Sequence, residues 1–315
     1  MNYLKTIIFT TFLIVLVPTV QAQGAPMYLS EGLRSYLVNP ASIGTLNKVS
    51  LSNRMNFAPW KFHNSPTSFQ LNGAFKCLNF GDKSATKIRG AIGFKSYYQR
   101  QWYYFQMGFS AQVNLQFDLG NSVLSIGLAP GIENLAFPTA YYYGCFGPSI
   151  EYPIFPREGV EHHQRFMLDA GAYWYNEKFA LGFSTSDIFR NQLSELSYYA
   201  MRTFHLHGSY QQLLSRKLHL KGVFNSETDG KTVNIATMLY AIWGKRELTA
   251  GIGYGSGDNL LGGASIRFNA LSLGCYLRHN LSGINPVKSS IEYRVAYDLF
   301  DSTMQTNFPS GNLSF

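Results

Sequence analysis

Apolar and polar residues alternate with a period of two along most of this chain. The segment 271–278 shows the pattern: its odd positions are Leu271, Leu273, Cys275 and Leu277, and its even positions are Ser272, Gly274, Tyr276 and Arg278. The segments 48–57 and 289–299 repeat it. Because successive side chains of a β-strand point to opposite faces, this period predicts strands with one face apolar enough for lipid and one polar face.

The alternating segments number about fourteen, and most are near the 9–11 residues that a tilted membrane strand needs. They are predicted at 48–57, 66–77, 87–96, 103–117, 121–136, 164–175, 178–187, 201–213, 217–225, 232–243, 246–255, 260–268, 271–280 and 289–299. Some connections, such as 119–121 and 176–177, are short, whereas 138–163 and 187–200 are long. Alternating short and long connections are typical of membrane barrels, and an even strand count places both chain ends on one side.

After the first two dozen residues, no apolar stretch is long enough to cross a bilayer as a helix. A β-chain that enters lipid must close into a barrel, because lipid cannot satisfy a free sheet edge. Charged residues make up only 14% of the chain, against about 25% in ordinary soluble domains. The sequence therefore predicts an all-β fold, a transmembrane antiparallel β-barrel of the outer-membrane type over 48–300. A soluble all-β protein with an aromatic core is the alternative.

The first 22 residues have the pattern of a secretory signal peptide. Lys5 precedes an apolar run from Thr6 to Val17, and the small-x-small triplet at 20–22 predicts cleavage after Ala22. A membrane helix would need about 20 apolar residues, more than this run supplies. Export to the bacterial outer membrane is therefore expected. Two stretches fall outside the predicted barrel: 23–47, an irregular segment expected at the barrel mouth or in the lumen, and a tail at 301–315.

The net charge of +8 does not predict nucleic-acid binding, because the Lys and Arg residues are scattered without a basic run. A lumen or rim that attracts anionic groups is the better interpretation. The three cysteines, Cys77, Cys145 and Cys275, have no C-x-x-C spacing, so neither a complete disulfide framework nor a zinc site is predicted. The outer face of the barrel wall is expected to contact outer-membrane lipid.

Some residues have the right type for catalysis or metal binding. His205 and His207 share a predicted strand face, and His219 with Lys221 could lie on the facing strand, which would group them if the register allows. Strand alternation that simply points polar side chains into a water-filled lumen explains the same residues without a metal or catalytic site. The glycine run at 251–255 lacks the following helix that a phosphate loop requires. The sequence therefore predicts no catalytic residue, no metal and no cofactor.

Several short motifs point to one family. The stretch 36–44, Tyr-Leu-Val-Asn-Pro-Ala-Ser-Ile-Gly, resembles the Asn-Pro-Ala-x-x-Gly signature that opens the PorP/SprF family of type IX secretion and gliding-motility membrane proteins. The stretches 51–54 and 65–69 are similar to the family's first-strand arginine and its Pro-x-Ser start of strand two. Leu124-Ser125-Ile126-Gly127-Leu128, followed by Gly131, is similar to another family strand.

The resemblance implies a non-enzymatic component of the type IX machinery of Bacteroidota. Its partners would be the periplasmic linker lipoprotein and the ring and motor of the machinery, or a secreted surface adhesin. The residues expected to shape the barrel mouth, or to serve partners there, are Asn39, Pro40, Ala41, Gly44, Arg54 and Pro66. Pro40 restricts its own backbone and that of Asn39, and Gly44 permits a sharp turn. An ordinary entry turn into the first strand would need the same residues.

Two other functions remain open from the sequence. A diffusion pore or transporter for small molecules would need an open lumen. An outer-membrane lipid-modifying enzyme would need an activated serine, and His207 lies two residues from Ser209 on one predicted strand face. Such a pair is common by chance, and no orienting acid can be named.

Overall fold

The structure, a computed structural model, describes residues 38–45, 48–57, 67–80, 88–101, 104–138, 160–189, 202–215, 217–230, 232–244, 248–281 and 289–298. In these ranges a short 3₁₀ helix, Pro40–Thr45, precedes fourteen strands. The strands are β1 Lys48–Phe57, β2 Thr67–Phe80, β3 Ile88–Gln101, β4 Tyr104–Asp118, β5 Val123–Pro138, β6 Val160–Tyr175, β7 Phe179–Ser186, β8 Thr203–Ser215, β9 Leu218–Thr228, β10 Val233–Trp243, β11 Leu248–Gly255, β12 Asn259–Phe268, β13 Leu271–Asn280 and β14 Ser289–Asp298.

The strands form one closed antiparallel barrel in which each pairs with its neighbours in sequence. The first and last strands close the ring over a full ladder, from Lys48 opposite Asp298 to Phe57 opposite Ser289. Closure gives the backbone groups at the seam the partners that lipid cannot supply. In the described part of the chain, no helix is long and apolar enough to cross a membrane. The predicted all-β barrel is confirmed.

Most predicted strand limits agree with the structure to within three residues, but two strands extend further than that beyond their predicted limits. β3 continues to Gln101 instead of 96, and β6 begins at Val160 instead of 164. The polar sequence from Glu161 to Gln164 resembles a loop, yet its backbone remains paired, with Glu161 opposite Phe137. These ladders therefore extend past the outward-facing apolar band, where composition no longer indicates a strand.

Burial along the strands is the reverse of that in a soluble protein. On β4, Phe109 and Leu115 are 50% and 43% exposed, whereas Gln112 and Asn114 between them are 4% exposed. A soluble β-sandwich buries its apolar face and exposes its polar one, so this pattern contradicts the soluble alternative. Several exposed aromatic residues lie at strand ends, among them Trp174 and Trp243, as in the interfacial girdles of membrane barrels.

The two ends of the barrel differ in their connections. At one end, which also contains the start of β1, strands are joined by short connections such as 119–122, 176–178 and 269–270; we call this the turn end. At the opposite, loop end the connections include 139–159 and 187–202. In outer-membrane barrels the short turns face the periplasm and the long loops face outward.

Large inward side chains lie over glycines of the neighbouring strand. A Cβ atom added to Gly251 would lie 2.2 Å from Tyr240 Cδ1, and one added to Gly263 would lie 2.3 Å from Tyr276 Cδ1. In the glycine run of β11, Gly251 and Gly253 make room for Tyr240 and Met238 on the neighbouring strand β10.

We expect Gly251→Ala to destabilise the barrel, because the new methyl group must displace the Tyr240 ring. Overpacking of this kind costs about 1–3 kcal/mol. Equilibrium urea unfolding in detergent measures it. Gly208→Ala is the matched control, since its Cβ would have Leu181 Cδ1 as its nearest neighbour at 4.0 Å. Equal unfolding midpoints for the two variants would contradict the expected clash.

Candidate functional site

The residues before β1, 38–45, lie inside the barrel, and we call them the lumen segment. Its fold is set locally by the Asn-Pro pair. The Asn39 side chain accepts a hydrogen bond from Ala41 N at 2.9 Å, and the Asn39 carbonyl accepts bonds from Ser42 N at 3.0 Å and Ser42 Oγ at 2.9 Å. Pro40 begins the 3₁₀ helix, where a missing N–H costs nothing. Asn39 therefore caps the short helix that Pro40 begins.

Side chains and carbonyls of the inner wall hold the lumen segment from several strands. Asn39 Nδ2 donates to the carbonyls of Ala172 on β6, at 3.0 Å, and Phe183 on β7, at 3.3 Å. The Ala41 carbonyl accepts from Asn114 Nδ2 at 2.8 Å and from Ser125 Oγ at 2.5 Å. These bonds satisfy polar groups that would otherwise be buried without partners.

Three glycines let the wall approach the lumen segment closely; we call Gly127, Gly171 and Gly182 the glycine notch. A Cβ atom at Gly127 would lie 2.5 Å from the backbone of both Pro40 and Ala41. At Gly171 it would lie 2.1 Å from Asn39 Oδ1, and at Gly182 2.9 Å from Asn39 Nδ2. The segment itself is buried, with Ala41, Ser42 and Ile43 at 0% exposure. Only glycine permits this contact without displacing the segment.

The lumen segment runs across the strands. Ser184 Oγ on β7 donates to the Val38 carbonyl at 3.2 Å. Ser184 is paired with Gly171 on β6, Gly171 with Gly127 on β5, and Gly127 with Asn114 on β4. Ile43 lies beside Gly93 of β3. Gly93 is opposite Ala74 of β2, which is opposite Lys48 of β1. The segment therefore follows the inner wall from β7 round to β2.

A buried ionic network occupies the same side of the lumen nearer the loop end. Arg165 on β6 forms ion pairs with Glu133 of β5 and with Asp187, just beyond β7. Tyr97 and Gln106, on β3 and β4, donate hydrogen bonds to the Glu133 carboxylate. The side chains of Arg165, Glu133 and Asp187 are at most 9% exposed.

The network also fixes the strand ends that carry the two longest connections. Asp187 adopts a left-handed backbone conformation, with φ of 62°. Its N–H donates to Asp169 Oδ1 at 3.0 Å, and Ile188 N donates to the Leu168 carbonyl at 2.9 Å. Such strained residues persist where their surroundings hold them. The first residues after β7 are therefore held against β6.

The structure brings together only some of the predicted site residues. Asn39, Pro40 and Ala41 form the docked part of the lumen segment, and Gly44 lies in its 3₁₀ helix. Arg54 lies on β1, where its backbone is opposite Ser68 and Glu292. Pro66 lies outside the described residues. The wall residues that receive the segment are Asn114, Ser125, Gly127, Gly171, Gly182 and Ser184. The sequence predicted no role for them, although Ser125 and Gly127 belong to the 124–128 motif.

The structure does not bring the histidines of β8 and β9 together, so the possible His205, His207 and His219 cluster is wrong. His207 is opposite Asn225, whereas His219 is opposite Leu213 near the other end of β9. His207 Nδ1 lies 2.6 Å from Asn225 Oδ1, so this ring is engaged in the barrel wall. Within the described ranges, no three His, Cys, Asp or Glu side chains are placed to share a metal ion.

Comparison with solved structures finds distant barrels. The Pseudomonas putida toluene transporter TodX has 7% identity and a TM-score of 0.47, with 90% of this chain and 95% of that chain covered. A Pseudomonas aeruginosa FadL homologue has 10% identity and a TM-score of 0.44, with 89% and 96% covered. Escherichia coli outer membrane phospholipase A has 9% identity and a TM-score of 0.38, with 84% and 100% covered.

Comparison with curated proteins finds no match. The model of one protein family, described as the type IX secretion system membrane protein PorP/SprF, matches residues 21–296. The match begins before the lumen segment and continues into β14, so it includes the glycine notch and the ionic network. This chain belongs to the PorP/SprF family of type IX secretion system membrane proteins.

Proposed function

We propose that this protein is a non-enzymatic docking component in the bacterial outer membrane, exported by a signal peptide that is cleaved after Ala22. It binds periplasmic parts of the type IX machinery, namely the linker lipoprotein or the ring and motor, or it retains a secreted surface adhesin. The family match supports a place in type IX secretion at the outer membrane. The partners themselves are part of the proposal.

The observation that carries the proposal is the docked lumen segment. Its hydrogen bonds to β4, β5, β6 and β7 hold the residues just before the barrel in one pose near the turn end. With the turn end facing the periplasm, the buried segment braces the strands that carry this end, so the surface that partners would meet there is rigid. A preorganised surface loses less conformational entropy when it binds than a mobile one does.

A small-molecule pore is the second candidate, and the same segment weighs against it. Residues 38–45 lie against the inner wall of β2 to β7, so a wide channel would require them to leave the notch. Single-channel recording of the purified protein in planar bilayers discriminates the two functions. The docking proposal expects no steady conductance of the size that porins show.

An enzymatic role is tested at His207. We expect His207→Gln to retain secretion, because glutamine can still hydrogen-bond Asn225 and no proton transfer is required. A lipid hydrolase that uses His207 as its base would lose activity in this variant by about 10²–10⁴-fold. Outer-membrane phospholipid turnover and cargo export, measured in the same cells, check both expectations.

Deletion of the chromosomal copy tests the proposed function as a whole. We expect the deletion strain to retain type IX cargo or an adhesin inside the cell, and the wild-type gene to restore its export. The His207→Gln gene should restore export equally well. Normal export of every type IX cargo in the deletion strain would contradict a role in secretion.

A further inference from the structure

The rim of the barrel steps down between β6 and β7 at the loop end. β6 is paired with β5 along its whole length. Its ladder with β7 covers only residues 170–175, and one further bond joins Ile188 N to the Leu168 carbonyl at 2.9 Å. Across the described ranges, residues 160–167 therefore have a strand on one side only, and we call them the β6 edge. At about 3.3 Å per residue, the edge is about 26 Å long.

Alternate residues of the β6 edge direct their main-chain groups away from β5. In an antiparallel strand the N–H and C=O of one residue face the same neighbour, and those of the next residue face the other. The Leu168 carbonyl faces the β7 side, and His162 and Gln164 lie an even number of residues before it, so they face that open side too. In the part of the chain that the structure describes, their main-chain groups on this side have no partner, and both residues are exposed. Such an edge is a template for a further strand.

The ionic network holds the β6 edge in a fixed shape. The buried ion pair between Arg165 and Glu133 ties β6 to β5 at the level of the edge. Hydrogen bonds from Tyr97 and Gln106 to the Glu133 carboxylate extend the connection to β3 and β4. An edge that is already ordered loses less conformational entropy when a strand adds to it than a mobile segment does.

The β6 edge lies beyond the part of the wall that faces lipid. The rings of Phe166 and Phe189 lie 6.1 Å apart at the base of the edge and are 50% and 47% exposed. The next exposed residues along β6, Gln164 and His162, are polar. The long loops of outer-membrane barrels face outward, so a strand that pairs here belongs to a protein outside the cell.

A second copy of the barrel does not fit this edge. Strands of membrane barrels are tilted by about 35–45° from the membrane normal. Two upright barrels related by a twofold axis along that normal would therefore cross their β6 strands at about 70–90°. Neighbouring strands of a sheet differ in direction by only about 20–25°. The edge fits a free extended segment better than the same edge of another barrel.

We propose that the β6 edge holds a secreted protein at the cell surface by adding one extended strand of that protein to the barrel wall. The proposal rests on the surface-retention arm of the proposed function and names its contact. Main-chain hydrogen bonds with His162 and Gln164 supply the pairing, and the exposed rings of Phe166 and Phe189 favour an apolar side chain at the membrane end of the added strand. The added strand has no proline where its N–H groups face β6.

One substitution, Gln164→Pro, tests the edge without removing the ladder to β5. It deletes the N–H that faces the open side and places the proline ring there, while the hydrogen bonds between β6 and β5 stay in place. Gln164→Ala is the matched control, because it shortens the same side chain and keeps the N–H. Each change is made in the chromosomal gene. The probe is the exported protein whose cell-bound amount falls most when this gene is deleted, measured by mass spectrometry of washed cells and medium.

We expect Gln164→Pro to lower the ratio of cell-bound to released probe protein at least tenfold, and Gln164→Ala to change it less than twofold. An unchanged ratio in Gln164→Pro, beside a fall in the deletion strain, would overturn the edge and leave the proposed function standing. If no exported protein depends on the gene for attachment, surface retention itself is overturned, and the edge with it.

Two further measurements on the same variants identify other occupants of the edge. Equilibrium urea unfolding in detergent should give Gln164→Pro and Gln164→Ala the same midpoint. A lower midpoint for Gln164→Pro would overturn the proposal, because the edge would then be filled within the chain itself. Loss of a barrel dimer in Gln164→Pro, with the probe protein still bound, would also overturn it and assign the edge to a second copy.

Discussion

Replacing Arg165 by methionine should lower the stability of the barrel more than any other single change considered for this protein. Arg165 is the cation between the buried carboxylates of Glu133 and Asp187. Methionine fills similar space but leaves two buried negative charges without their counter-ion. Removing one member of a buried ion pair costs about 3–5 kcal/mol. Equilibrium urea unfolding of the detergent-refolded protein measures the loss.

Two further variants identify the cause of that loss. Arg202→Met removes an exposed guanidinium that bonds the Ile188 carbonyl, and it should cost about 0.5 kcal/mol or less. Adding Glu133→Gln and Asp187→Asn to Arg165→Met removes the unpaired charges and should recover most of the lost stability. If Arg165→Met and Arg202→Met unfold at the same denaturant concentration, the ionic network contributes nothing to stability.

Gly127→Ala should release the lumen segment from the wall. The added methyl group would lie 2.5 Å from backbone atoms of Pro40 and Ala41, and backbone cannot move aside as a flexible side chain can. Overpacking of about 1–3 kcal/mol should favour the undocked state by roughly fivefold or more. Labelling of a Ser42→Cys reporter with a maleimide reports undocking, because Ser42 is fully buried in the docked state.

Gly222→Ala in the same reporter background is the matched control. Both glycines lie within strands, but a Cβ at Gly222 would have no neighbour within 4 Å. The control should therefore label as slowly as the parent. Slow labelling of the Gly127→Ala variant as well would show that the segment is held by other contacts or is not docked at this place.

The barrel could be predicted from sequence because its constraints are local. Lipid requires an apolar residue at every second position, so a strand such as β13, Leu271–Asn280, can be recognised from its own residues. Recognition fails where a strand leaves the membrane, and the start of β6 was missed for this reason. Polar residues there remain paired to β5 without any periodic signal.

The docked segment and the ionic network depend on distant residues, which is why the sequence did not reveal them. The Ala41 carbonyl is bound by side chains 73 and 84 positions away, and Val38 by one 146 positions away. Glu133 and Arg165 are 32 positions apart. The Asn-Pro-Ala motif identified the segment that docks. Its receiving surface became visible only once the strand register aligned Ser184 with Gly171 and Gly127.

Affinity purification of the tagged protein from detergent-solubilised outer membranes tests the central claim most directly. Bound proteins are identified by mass spectrometry, with the Gly222→Ala and Gly127→Ala variants purified in parallel. The docking function predicts enrichment of type IX components or one large surface adhesin with the wild type and Gly222→Ala, and a weaker yield with Gly127→Ala. Recovery of the barrel alone, from membranes shown to contain those components, would contradict the claim and favour a pore.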